Sequence, residues 1–395
     1  MDWKIERRTA LERARRIVVK VGSAVLTTHS VLDQAMVDSL ADQIARLHDR
    51  GLDIVLVSSG AVAAGRGVIA TRKDLCSGKG LCARSGLAGM PARQAASAIG
   101  QSRLMYAYDM AFDRHGKVTA QILLTKDDFK SNRRFLNACN TFDSLLAWRV
   151  VPIVNENDTV VVAELEFGDN DSLASLLLNL VGADLFVNLT SASGVYAANP
   201  DNPSDLPPVP MDVIEDIASL DLDVMCGGKT SVGSGGMYSK LVAARRAAQI
   251  GVPTLIVSGR EPDALYRAVT GEALGTWVVP DSKTISRRKF RMAYNTEPAG
   301  SVTVDEGAVR ALAERGKSLL AAGITAVDGN FGRGALIRIL TPGGHTLGVG
   351  LSNYKAVDLR RIMGRKTADI ESLLGYAYDE AIHRDNLLLD AALKN

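Results

Sequence analysis

The sequence predicts an α/β fold, a three-layer sandwich around a mostly parallel sheet, followed by a small β-rich domain. Three observations predict it. Short apolar runs ending in glycine or serine alternate with amphipathic stretches, the rhythm of strand–helix–strand units with right-handed crossovers. Aromatic residues make up only 5% of the chain while Ala, Val, Leu and Gly abound, which favours α/β layers over a β-sandwich. Composition then changes across residues 277–300, and short strand-like pieces with glycine turns follow.

A length of 395 residues suggests two or three domains, and 47% hydrophobic residues can bury a large core. A net charge of +2 argues against a dedicated polyanion binder. Cys76, Cys82, Cys139 and Cys226 lack zinc-type pairing and suit a reducing cytoplasm. The charged N-terminus has no apolar core, so it does not read as a secretory signal. The longest apolar region, residues 173–189, is interrupted by Asn179, Asp184 and Asn188, so no membrane span is expected.

After a polar N-terminal helix, RIVVKV at 16–21 reads as a buried strand. Residues 32–50 read as a helix capped by Gly51, and 53–58 as a second buried strand, with Ser59-Gly60-Ala61 opening the next helix. Residues 71–90 break the rhythm and read as a surface excursion, a substrate lid or a tolerated insertion. A helix resumes over 91–115. Strands at 118–124, 150–155 and 184–190 alternate with helices at 133–148 and 172–181. Residues 197–213, rich in Pro, Asn and Asp, read as loop. A glycine-rich segment, 227–236, leads into a helix ending near 250, then a strand at 254–258 and a short helix. We place a catalytic domain at 1–279, a linker at 280–298 that holds the basic run SRRKFR, and a β-rich domain at 299–395 with strands at 301–304, 324–327, 335–340 and 347–351.

Chemistry is expected in loops that follow strands, where open α/β sheets bind ligands. Residues 154–179 carry Glu156, Asp158, Glu164, Glu166, Asp169 and Asp171, interleaved with Asn155, Asn157 and Asn170. Carboxylates so crowded repel one another unless cations or ligand amines meet them, although a solvated acidic turn has the same composition. Lys20 beside Gly22-Ser23 can present an ammonium and backbone N–H groups to phosphate. Ser58-Ser59-Gly60-Ala61 can admit an anion to a helix N-terminus, or be an ordinary cap. Ser234, Gly235, Gly236, Met237, Tyr238, Ser239 and Lys240 suggest a phosphate clamp, or a hinge with a solvated lysine. Together, two lysines, two glycine turns and one acidic loop suit phosphoryl transfer from a nucleotide, with Mg²⁺ as an expected companion.

Two motifs are decoys. Gly228-Lys229-Thr230 mimics the end of a P-loop, but Asp223 stands where the loop needs glycine. Gly65, Gly67 and Ala70 mimic a dinucleotide fingerprint, yet lie inside a helix rather than at a strand turn. No histidine neighbours a Ser or Cys in a triad motif.

In order along the chain, VVKVGSAVLT (18–27), VSSGAVAAG (57–65), NENDTV (155–160), GDNDSLA (168–174) and GSGGMYSKL (233–241) resemble the glutamate 5-kinase group of the amino acid kinase superfamily. VDEGA (304–308) and GNFGRG (329–334) resemble the PUA domain that such chains carry at their C-terminus. The resemblance implies that ATP phosphorylates the side-chain carboxylate of L-glutamate to L-glutamyl 5-phosphate, the first step of proline biosynthesis. It implies catalytic roles for Lys20, Asp171 and Lys240, and glutamate contacts from Ser59, Asp158 and Asn170. ATP contacts are implied for Lys20, Thr190, Ser191 and the segment from Ser234 to Lys240, with no metal ligand assigned. It further implies a dimer or tetramer, proline as feedback inhibitor, hand-over of product to a glutamyl phosphate reductase, and a cytoplasmic location.

One departure stands out: Thr190-Ser191 occupies a place where these kinases usually have Thr-Asp. PUA domains elsewhere bind RNA, but residues 298–395 hold 12 Lys/Arg against 11 Asp/Glu, which is no basic footprint. The alternatives are a kinase for another small acid, aspartate or carbamate, or a non-enzymatic RNA-binding regulator.

Overall fold

The computed structural model describes residues 2–28, 31–71, 89–161, 170–197, 209–226, 236–294 and 297–389. It divides into two compact units, Met1–Thr284 and Ile285–Asn395.

Beside a two-stranded ribbon, Thr27–Thr28 with Val31–Leu32, the first unit has a main sheet of β1 (Arg16–Val21), β2 (Asp53–Ser58), β3 (Thr119–Leu124), β4 (Val151–Glu156), β5 (Leu185–Thr190), β6 (Val213–Ile214), β7 (Thr254–Ser258) and β8 (Thr276–Val278). They form one eight-stranded sheet in the order β3-β4-β2-β1-β5-β7-β8-β6. All pairs are parallel except β7 with β8. The apolar runs read as buried strands are the sheet's centre, which explains why they lack alternation: both faces are covered. Sequence patterning missed β6 and β8, each of only two or three residues, and β6 falls where 197–213 was read as loop running to Val213.

Helices α1 (Trp3–Arg13), α2 (Gln34–Asp49), α3 (Ala61–Thr71), α4 (Met90–Asp113), α5 (Asn132–Ala147), α6 (Asn170–Val181), α7 (Met237–Gln249) and α8 (Ala264–Val269) connect the strands. Helix α2 packs with α4 and α8 on one face, and α6 with α5 and α7 on the other, completing the three layers. Asp33 caps α2 by accepting from the N–H groups of Ala35 and Met36, and Gly51, at φ +90°, ends it. The chain runs from β1 outward to β2 and beyond, then returns past β1 to β5, so strand order reverses between β1 and β5. That is where ligands sit in open α/β sheets.

The second unit has a sheet of β9 (Gly300–Val304), β10 (Ile324–Gly329), β11 (Leu336–Leu340), β12 (Thr346–Leu351) and β13 (Leu387–Leu389), in the order β10-β9-β11-β12-β13. Val302, Val304, Ile337, Ile339, Tyr354, Leu359 and Ile382 form its core. The Tyr354 hydroxyl donates to Tyr378 O at 2.8 Å and accepts from Tyr378 N at 2.6 Å. Four helices, α9 (Arg287–Tyr294), α10 (Glu306–Ala313), α11 (Ala356–Ile362) and α12 (Thr367–Leu374), went unread in the sequence. Each is only seven or eight residues long, too short for its periodicity to rise above the β-like pattern around it. Helix α9 contains most of the basic run assigned to a linker, and buries Phe290 and Met292. Arg360 and Arg361 donate to the carbonyls of Val327, Gly329 and Leu373, so this basic cluster is partly consumed in holding its own fold.

Candidate functional site

Alternation along β1 sends Ile17, Val19 and Val21 into the core shared with α2 and α4, which turns Lys20 to the other face. Its register partner on β5 is Asn188. Asp171, in the first turn of α6, reaches this pair. Its Oδ1 lies 2.7 Å from Lys20 Nζ and accepts from Asn188 Nδ2 at 2.7 Å. Its Oδ2 accepts from Lys240 Nζ at 3.1 Å and from Ser239 Oγ at 2.8 Å. Four donors thus meet one carboxylate, about the number it can accommodate.

Asp171, Lys20, Lys240 and Asn188 are all buried. Burial alone would push the Asp171 carboxyl up. The charges of Lys20 and Lys240, with hydrogen bonds from Lys20 and Asn188, outweigh that and hold it below the usual carboxylate range. The cluster lies at the sheet's switch point, between β1 and β5. Buried ion pairs are costly to desolvate and are weak evidence for stability, so a cluster of this kind at the end of a strand is a candidate functional site.

Lys240 comes from α7, whose N-cap Gly236 is extended and gives no side-chain cap. The helix therefore presents backbone N–H groups at its N-terminus, the arrangement that binds phosphate. Met237 and Tyr238, each half-buried, pack against an apolar cluster around Leu241 and Ile256. Arg246 ties α7 to α6 by donating to Ser172 Oγ at 3.0 Å and Ser175 Oγ at 3.3 Å. Thr190 is buried at the end of β5, and its carbonyl accepts from Gly259 N at 2.8 Å. Ser191, next along, is exposed. Ser234, Gly235, Asp169, Glu164 and Glu166 lie outside the described residues, as do 72–88, with Cys76 and Cys82.

A second group adjoins the first. Consecutive helix residues point about 100° apart, so Asn170 faces away from the lysines. Its Nδ2 lies 2.8 Å from Ser59 Oγ, 2.9 Å from Asn155 Oδ1 and 3.2 Å from Ser58 O. Gly60, at φ +106°, makes the turn from β2 into α3 that exposes Ser59, a conformation few side-chain-bearing residues adopt. The Ser58 and Tyr108 hydroxyls lie 2.9 Å apart, and burial pushes the Tyr108 phenol well up. Three residues beyond Asn155, Asp158 Oδ2 accepts from Ser97 Oγ at 2.5 Å.

The structure therefore brings Lys20, Asp171, Ser239 and Lys240 into one cluster and Ser59, Asn170 and Asn155 into another. Asp158 stands at the far end of the β4 turn. Sequence reasoning overlooked Asn188, Ser97 and Tyr108. An amide inside an apolar strand was the signal for Asn188; nothing in the sequence singled out the other two. Among the described residues no group of three His, Cys, Asp or Glu is arranged to hold a metal ion.

The amino acid kinase family model matches residues 15–258 and the PUA domain model residues 300–374. A glutamate 5-kinase from Oleidesulfovibrio alaskensis is 63% identical over 394 residues, covering 100% of both chains. One from Nitratidesulfovibrio vulgaris is 58% identical with the same coverage. One from Trichlorobacter lovleyi is 45% identical over 97% of this chain and 99% of its own. The mostly parallel sheet, the lysine–aspartate cluster at its switch point and these full-length matches lead to one assignment: this chain belongs to the amino acid kinase family, among its glutamate 5-kinases with a C-terminal PUA domain.

Proposed function

We propose that the chain transfers the γ-phosphoryl group of ATP to the side-chain carboxylate of L-glutamate, giving L-glutamyl 5-phosphate, the first step of proline biosynthesis. The observation that carries the reading is Asp171, buried between Lys20 and Lys240, beside Asn170, which reaches Ser59 and Asn155. The phosphate side and the amino acid side of the reaction meet at two consecutive residues.

A glutamate side chain has a pKa of about 4.3, so near pH 7 it is already a nucleophile and no general base is needed. The difficulty is holding two anions together. In this reading Lys20 and Lys240 offset the charge that spreads over the transferring phosphoryl oxygens, and Asp171 fixes where both ammonium groups point. The N–H groups at the start of α7, with the segment from Ser234 to Lys240, cradle the nucleotide phosphates. Thr190 and Ser191, after β5, border the nucleotide; a serine at 191 can accept or donate one hydrogen bond but brings no charge. Ser59, Asn170 and Asp158 bind glutamate, with Asp158 facing its ammonium. Mg²⁺ fits as an ion carried in on the ATP phosphates, where it keeps water and phosphate ligands and needs few from protein. It supplies further neutralisation of the phosphate charge.

A cytoplasmic enzyme acting as a dimer or tetramer, inhibited by proline and passing its acyl phosphate to a reductase, completes the reading. Among the described residues no helix is long and apolar enough to cross a membrane. The test is to incubate the full chain with ATP, Mg²⁺, hydroxylamine and one of L-glutamate, aspartate or carbamate. Glutamyl hydroxamate from glutamate alone supports the proposal; product only from aspartate or carbamate overturns it.

A further inference from the structure

Helices α3 and α4 cross at a distance that no side chain would permit. A Cβ placed on Gly65 would lie 1.8 Å from the Ala96 carbonyl oxygen, and one on Gly100 would lie 1.7 Å from the Ala61 carbonyl oxygen. The two backbones are in direct contact, so the crossing has almost no freedom to slide. Each end of this contact leads to the amino acid side of the site. Ala61 directly follows the Ser59-Gly60 turn. Ala96 directly precedes Ser97, which is buried and donates to Asp158 Oδ2 at 2.5 Å.

A closed circuit results. Ser59 contacts Asn170, Asn170 contacts Asn155, and Asn155 is three residues from Asp158. Ser97 grips Asp158, and the crossing returns to Ser59. Asp158 sits on a turn, and the Ser97 hydroxyl is one contact that fixes the direction of its side chain. A hydrogen bond this short to a carboxylate is charge-assisted and among the stronger kinds. It occupies one of the roughly four acceptor positions of a carboxylate.

We infer that Ser97 is a positioning residue: it aims the Asp158 carboxylate at the substrate ammonium, at a separation from Ser59 that the Gly65–Gly100 crossing sets. The inference rests on the glutamate reading above. It makes selection of an amino acid over a plain dicarboxylic acid depend on a helix that need not touch the substrate.

The test uses the full chain and the hydroxamate assay with two acceptors, L-glutamate and glutarate, which differ only in the amino group. Ser97→Ala removes one hydroxyl and should keep the wild-type melting temperature. The glutamate KM should rise about tenfold, the size expected when a hydrogen bond to a charged group is lost. The kcat and the ATP KM should stay within about twofold, and the preference for glutamate over glutarate should shrink by the same factor as KM rises. A glutamate KM within about twofold of wild type overturns the inference, and so does an equal loss with both acceptors or with ATP. A wild-type chain inactive on glutamate overturns the functional reading instead, so the two failures are told apart.

Discussion

Lys20 and Asn188 are register partners on adjacent parallel strands, and both reach the same oxygen of Asp171, each at 2.7 Å. A charged donor and a neutral one therefore fix Oδ1 from the sheet, leaving Oδ2 to Lys240 and Ser239 from α7. The carboxylate is held by two independent elements, and the lysines inherit their geometry from it.

Asp171→Ala should be the most damaging single change in the catalytic unit. It removes the carboxylate on which Lys20 and Lys240 converge, and a loss of about 3–5 kcal/mol is expected. Urea unfolding followed by circular dichroism measures it. A loss below about 1 kcal/mol would mean that the lysines relax to solvent and the cluster is not structural.

Lys240→Ala should leave the fold in place, because Asp171 keeps Lys20, Asn188 and Ser239. Turnover should fall by about a hundredfold or more, the scale of losing one transition-state charge partner. Steady-state hydroxamate kinetics report it; wild-type kcat would remove Lys240 from the chemistry.

The pH dependence follows from the depressed Asp171 carboxyl. A group whose pKa is lower folded than unfolded stabilises the protein fully above its unfolded value, about 3.9 for aspartate. That contribution is lost as pH falls through the lower, folded value. The increment should therefore be constant at neutral pH and vanish only in strong acid. Asp171→Asn should flatten the acid limb of the stability curve below about pH 4 relative to wild type. Parallel acid limbs in the two proteins would contradict the assignment.

Gly100→Ala forces a methyl group into the Ala61 carbonyl and should destabilise the chain by about 1–3 kcal/mol, with a raised glutamate KM. Thermal melting measures the first effect and steady-state hydroxamate kinetics the second. An unchanged melting point would show that the helices can part.

Much of this was legible in the sequence. The buried strands announced themselves as apolar runs, and Lys20, Asp171 and Lys240 stood out as charges at loop–element junctions. The motif at Gly65 was rightly set aside as a nucleotide fingerprint, but its real role, contact with a helix thirty residues on, could not be seen. Local patterning reports which face of a helix is apolar, not which backbone it will touch. Asn188 and Ser97 escaped for the same reason: each matters through a partner far away in sequence. The second unit's short helices escaped because seven residues give only two turns of evidence.

Contacts within the two helices, between 61–65 and 96–100, fix the α3–α4 crossing. Backbone meets backbone at both ends of that crossing, so it works as a rigid fulcrum between the Ser59 turn and Ser97. A change that moves one end of either helix should therefore be felt at the other end, which ties the two sides of the glutamate pocket to a single pivot.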